Sequence, residues 1–373
     1  MLRSIVKKAA TARVSAKVGY GPSISIHRPY ATLSPHIPPP TTPYEVFDEP
    51  SKNRQKDRAI IRLREEGEPS TPSHENAEEH PVKVVDYLRE EISERLAERI
   101  EDLRTPPASI LELAAHSGQL TQILQDIIAD EVPSTSETQD QQSERRKWWI
   151  VESSKEALHR DDDSHFSSPP TRIQASASRL LEHPEIGKLK EQVEAVVSGG
   201  GLHWVGDIVG GLTQIRHLLK PDGVFVGVVL GGDTLFELRT SLQLAEQERR
   251  GGIANRISPM INPTDAPSLL NRAGFTLTTI DVEDMLINYP SIWELMADLR
   301  DMGESNAILG RRAHISRDVL MAADAIYKEL YGNEDGSVPA TFQIIFLIGW
   351  KPGPNQPKAL ERGSASTSLK DVL

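Results

Sequence analysis

Residues 199–239, GGGLHWVGDIVGGLTQIRHLLKPDGVFVGVVLGGDTLFELR, constrain the fold more than any other stretch of the chain. Leu212, Ile215, Leu218 and Leu219 recur at helical spacing and make one apolar face. Lys220-Pro221-Asp222-Gly223 carries turn chemistry and predicts the end of that helix. Residues 224–230 are apolar, rich in β-branched side chains and too short for a helix, so they read as a strand covered on both faces. Gly231-Gly232-Asp233 turns the chain again, and residues 234–237 have the pattern of a capping box that opens another helix. This order of elements predicts the second half of an open α/β sheet.

The ends of the chain differ from its middle. Residues 1–44 contain no Asp or Glu but carry Arg3, Lys7, Lys8, Arg13, Lys17 and Arg28, with Leu2, Ile5, Val6 and Ala9 on one helical face. A basic, acid-free, amphipathic start is the composition of a mitochondrial transit peptide, here assigned to residues 1–30 with cleavage after Tyr30. Residues 31–82 read as a largely disordered linker and lead-in, in which residues 52–59 make an exposed charged helix. Residues 83–352 form the expected domain, with polar insertions at 132–147 and 159–171, and 353–373 a polar tail. The 26 prolines and 38% hydrophobic content fit such disordered N- and C-terminal tails.

Within the domain, Val85, Leu88, Ile92, Leu96, Ile100 and Leu103 keep helical spacing. Residues 109–113 read as a first strand and 147–152 as a second, ending in Glu152. An acid at that strand end can accept hydrogen bonds from ribose hydroxyls; it can equally be an exposed strand-end glutamate. Residues 172–175 read as a third strand with Gln174 near an adenine edge, and residues 193–198 as a fourth. His203, Trp204 and Asp207 follow that fourth strand, at the edge where open α/β sheets bind ligands, although an aromatic there is often core. Residues 276–282 and 342–350 are the sixth and seventh strands.

The segment HLLKPDGVFVGV resembles the late part of class I methyltransferase-like domains. LHWVGD, GGDTLFELR, MGESN at residues 302–306 and ERGSA at 361–365 more specifically resemble the mitochondrial complex I assembly factor family that carries arginine hydroxylase activity. The resemblance implies an α/β fold with a seven-strand, Rossmann-like, methyltransferase-like sheet and helices on both faces. It implies S-adenosylmethionine as cofactor, a complex I subunit and other assembly proteins as partners, and a place in the mitochondrial matrix, peripheral to the inner membrane. Glu112, Ala114, His116 and Gly118 fall where the family has an acid followed by Gly-x-Gly-x-Gly, so Ala114 and His116 replace two glycines. With Glu152 and Gln174 they are the expected cofactor residues. His203, Trp204, Asp207, Asp233, Tyr289, Glu304 and Asn306 are the expected substrate-pocket residues. Two other readings stay open: an O-methyltransferase like the malonyl-carrier-protein enzyme of biotin synthesis, and a non-catalytic assembly chaperone.

Bulk properties narrow the classes. A net charge of −12 gives no basic footprint for nucleic acid. No apolar run approaches the about 18 residues of a membrane-spanning helix. There is no cysteine, hence no disulfide, thiolate nucleophile or cysteine-ligated metal. No two-His-one-carboxylate spacing marks a metal site, and the catalytic residues and the oxidant are not legible.

Overall fold

The computed structural model describes residues 45–67, 85–130, 146–312, 314–357 and Ser364. The transit-peptide assignment, the proline-rich linker, most of the first polar insertion and nearly all of the ERGSA tail lie outside these residues.

Seven strands form one sheet in the order β3-β2-β1-β4-β5-β7-β6. They are β1 Ser109–Leu113, β2 Lys147–Glu152, β3 Thr171–Gln174, β4 Val193–Ser198, β5 Leu219–Leu230, β6 Thr276–Tyr289 and β7 Val338–Trp350. β1 to β5 pair in parallel, whereas β7 runs antiparallel between β5 and β6. Reversal of β7 lets two long strands follow one another at the sheet edge.

The strands alternate their side chains between two cores, as period-two geometry requires. In β5, Val224, Val226 and Val228 face a core shared with α2 (Tyr87–Glu101), α3 (Gln119–Asp130), α7 (Phe236–Arg250), α9 (Ile292–Asp301) and α10 (Arg317–Tyr331). Phe225 and Val229 face the other core, closed by α6 (Ile208–Leu218) and α8 (Ala266–Ala273). Two short helices, α4 (Lys155–Leu158) and α5 (Pro184–Gly187), complete the linkers after β2 and β3. Helices therefore cover both faces, and the expected sheet is present. Among the described residues no helix is long and apolar enough to cross a membrane.

Four local readings change, one of them the capping box at residues 234–237: α7 starts at Phe236 after a left-handed Leu235, with no side-chain cap. The Lys220–Gly223 turn does not separate helix from strand: β5 begins at Leu219 and absorbs it as an irregularity between the Val193↔Leu219 and Ala195↔Val224 pairs. Asp222 takes the left-handed strain there, at φ 64°. β6 runs on to Tyr289, beyond the expected end at residue 282, because β7 starts early at Val338 and pairs with it.

The largest change concerns the lead-in. Helix α1 (Glu49–Gly67) is not an exposed charged helix; Lys52 and Lys56 are buried beside Ala59, Ile60 and Leu63. Lysines at i and i+4 share a helix face, and here that face is polar because it docks onto polar strand ends. Asn53 accepts from the Ser153 hydroxyl at 2.7 Å and Asp57 from the Ser154 hydroxyl at 2.6 Å, which ties α1 to the turn after β2.

Candidate functional site

The carboxyl ends of β1 and β4 lead into two loops that face each other. After β1 the chain passes through Ala114 and His116, both left-handed at φ 53° and 51°. These are the two positions where glycines were expected, so the backbone keeps a glycine-like shape with L residues in it, which costs roughly 1–2 kcal/mol each. After β4 come Gly200 and Gly201 at φ 144° and 89°. A Cβ on Gly201 would sit 2.8 Å from Ala114 Cβ, so the loops meet at a distance only glycine allows.

Between these loops and α2 lies a cavity of ≈ 70 Å³. Its polar lining includes Glu112, Arg89, His116, His203, Glu304 and Lys56. Glu112 is buried, accepts from Thr121 N at 3.0 Å and Thr121 Oγ1 at 2.6 Å, and is pushed up to about 7 by burial. His116 is driven well below the usual imidazole range by burial and by the charges of Arg89, Arg160 and Lys56. Its Nδ1 is buried with no partner, as are both ring nitrogens of His203. Burial lowers His203 too, so both rings are neutral near pH 7. Buried polar atoms without partners are uncommon in native proteins and favour a polar occupant.

Glu304 is the second centre. Its Oε2 accepts from Trp204 Nε1 at 2.7 Å and Lys52 Nζ at 2.9 Å, while His203 Nε2 stands 3.6 Å away, beyond hydrogen-bond reach. Lys52 Nζ also donates to Gly303 O at 2.7 Å and lies 3.4 Å from the Trp204 ring centroid. Burial lowers Lys52 to about 7, against the opposing pull of Glu304. Burial raises Glu304, but the Lys52 charge and its hydrogen bond outweigh that and hold it well below the usual carboxylate range. A groove of ≈ 400 Å³, lined by Trp204, Glu304, Asn306, Leu235, Met296 and Arg311 among others, reaches this centre from outside.

Of the expected residues, Glu112, Ala114, His116, His203 and Glu304 share the cavity lining, and Trp204 and Asn306 line the groove with Glu304. The others sit elsewhere. Asp207 is exposed and caps α6, accepting from Gly210 N at 2.9 Å. Asp233 is exposed and accepts from Gln343 Nε2 at 3.3 Å. Tyr289 is buried with its hydroxyl bonded to that of Tyr87, which donates to Asp298 Oδ2 at 3.1 Å. Gln174 is exposed and donates to Ser153 O at 3.2 Å. Gly118 (φ 91°) packs on Phe166, whose ring a Cβ there would meet at 3.0 Å. Lys52, Lys56 and Arg89 are site residues that the sequence reading missed. The only available signal was the i, i+4 lysine pair, which solvent-facing helices share.

Glu152 differs most from its expected role. Its Oε1 accepts from Lys56 Nζ, Ser153 N and Ser154 N at 2.8–3.0 Å, and Oε2 from His116 N at 3.0 Å. These donors and the Lys56 charge outweigh the burial that would raise it, and hold it as a carboxylate. S-adenosylmethionine is therefore matched only in part. Arg89 and Glu112 suit the carboxylate and ammonium of its amino-acid end, but the ribose acid is already saturated by the protein's own donors.

A 3-2-1-4-5-7-6 sheet with a reversed β7, a left-handed loop after β1 and an acid at the end of β2 define a methyltransferase-like protein. No family model matches the chain. It is 39% identical to the mitochondrial arginine-hydroxylase NDUFAF5 of Danio rerio, over 88% of this chain and 89% of the relative. It is 38% identical to the Homo sapiens protein of the same name, over 88% and 83%. A malonyl-[acyl-carrier protein] O-methyltransferase of Methylovorus is 32% identical over only 43% of this chain and 52% of its own. The chain belongs to the mitochondrial arginine-hydroxylase NDUFAF5 family.

Proposed function

We propose that this protein is a mitochondrial arginine hydroxylase that acts in the assembly of respiratory complex I, on an arginine of a matrix-facing subunit. The observation that carries this reading is 39% identity to an arginine-hydroxylase over 88% of the chain, against 32% over 43% and 25% over 74% for two malonyl-[acyl-carrier protein] O-methyltransferases. The site is compatible with it: a carboxylate and an indole face, Glu304 and Trp204, suit a guanidinium.

Mass spectrometry of complex I subunits from a deletion strain tests the proposal. The expected result is loss of assembled complex I together with loss of hydroxylation at one arginine. Persistent hydroxylation with growth rescued by biotin would favour the methyltransferase. Failed assembly with hydroxylation intact would favour a chaperone.

Two finer points belong to the same proposal. Import into the matrix follows from residues 1–30; a reporter carrying residues 1–35 should enter mitochondria, and cytosolic retention would refute it. S-adenosylmethionine is proposed to contact Arg89 and Glu112 through its amino-acid end. Calorimetry with the purified protein should give a binding heat that Arg89→Ala removes, and no heat from the unaltered protein would end this part of the reading.

A further inference from the structure

Lys52 occupies a site that suits another cation better. We propose that the Trp204 ring, the Glu304 carboxylate and the Gly303 carbonyl form the receiving site for a substrate guanidinium, and that Lys52 is a resident stand-in which the incoming arginine displaces. This rests on the hydroxylase reading above and names the part of the site that would take the arginine.

Three observations support it. First, the three groups already converge on one positive charge, at 3.4 Å from the ring centroid, 2.9 Å from Glu304 Oε2 and 2.7 Å from Gly303 O. Second, lysine uses them poorly. Its ammonium, the Trp204 indole and the His203 ring all crowd Oε2, and none of their contacts reaches Oε1. A planar guanidinium stacks on an indole and forks across both oxygens of a carboxylate, which a point charge cannot do. Third, the site is reachable. The Lys52 side chain is 5% exposed but that of Glu304 is 20% exposed, and the groove opens onto Trp204 and Glu304. The groove's Arg311 is held by Asp48 at 3.0 Å and its Arg256 by Glu246.

The charge balance favours exchange. Lys52 is faced by Glu304 and His203 from the segments after α9 and β4, by Arg89 of α2, and by Lys56 of its own helix. Burial and the two neighbouring cations weaken its hold on a proton, bringing it down to about 7. Once displaced into water it regains an ordinary lysine affinity, so exchange above pH 7 takes up a proton from solvent. Arginine stays charged throughout.

The test is calorimetry on the full-length protein with the tripeptide acetyl-Gly-Arg-Gly-amide. Lys52→Met should bind it about tenfold or more tighter than the unaltered chain. Affinity of the unaltered chain should weaken by up to about tenfold per pH unit above pH 7, with proton uptake seen as a buffer-dependent heat; Lys52→Met should show neither. Trp204→Leu and Glu304→Gln, checked for folding by near-ultraviolet circular dichroism, should bind at least tenfold more weakly. Equal binding by Lys52→Met, or binding indifferent to both Trp204 and Glu304, would overturn the proposal. If the tripeptide behaves as expected but no arginine in complex I depends on the protein, the site stands and the hydroxylase reading falls. If hydroxylation depends on the protein while binding ignores these residues, the reverse holds.

Discussion

Lys56 Nζ donates to Glu152 Oε1 at 2.9 Å, joining the first helix to the end of β2 with both side chains out of water. The pair closes the place where a nucleotide-binding sheet usually presents its ribose acid. It also makes α1 part of the site and not an appendage.

Glu152→Ala should therefore act first on stability. It leaves Lys56 charged, buried and unpaired, and strips acceptors from His116 N and Ser154 N. Breaking one side of a buried pair costs about 3–5 kcal/mol. Pairing Glu152→Leu with Lys56→Met should recover much of that loss. Urea unfolding of the singles and the double decides it; a single-mutant loss below about 1 kcal/mol would show that the pair is not buried as described.

Glu112 predicts a pH dependence. Burial raises it from 4.5 to about 7, so between those values the folded chain keeps a proton that the unfolded chain has released. Stability from this group consequently falls as pH rises through that window, by roughly 3 kcal/mol in all. Glu112→Gln keeps the shape without the titration. The difference in unfolding free energy between the two proteins should shift by that amount from pH 4.5 to 7, and a constant difference would contradict it.

The two facing loops give a steric prediction. Gly201→Ala adds a Cβ at 2.8 Å from Ala114 Cβ and strains a left-handed residue, so it should cost about 1–3 kcal/mol. Ala114→Gly alone removes left-handed strain at φ 53°, and in the Gly201→Ala background it also removes the clash. Thermal melts of the singles and the double should show the second change rescuing part of the first. Strict additivity would mean that the loops do not touch.

The sheet was legible because its strands carry local signals. Residues 147–152 and 193–198 alternate or run apolar with clear stops, and β2 and β4 have those bounds. Glu112, His116 and His203 converge as a consequence of the sheet order, which brings the ends of β1 and β4 side by side, and Glu304 joins them from the segment after α9. Lys52 and Lys56 were not legible, because nothing local distinguishes a lysine facing water from one facing Glu304 far along the chain. Tyr289 differs for another reason: resemblance alone implies its pocket role, whereas its hydroxyl is spent on Tyr87. Asp207 and Asp233 sit next to the right loops, but both are exposed and their carboxylates accept from Gly210 N and Gln343 Nε2 instead.

Helix α1 has a consequence for the order in which the molecule is finished. Lys52 precedes its partner Glu304 by 252 residues. At synthesis rates of about 5–20 residues per second, roughly 13–50 s pass between them. Lys56 gains Glu152 after 96 residues, but for the whole of that interval Lys52 faces inward without the carboxylate that receives it. The centre around Lys52 is thus completed by Trp204 and, last, by Gly303 and Glu304 from far along the chain. An amine-selective label that reaches Lys52 would mark chains whose later helices have not yet arrived, which makes this one side chain a clock for completion of the fold.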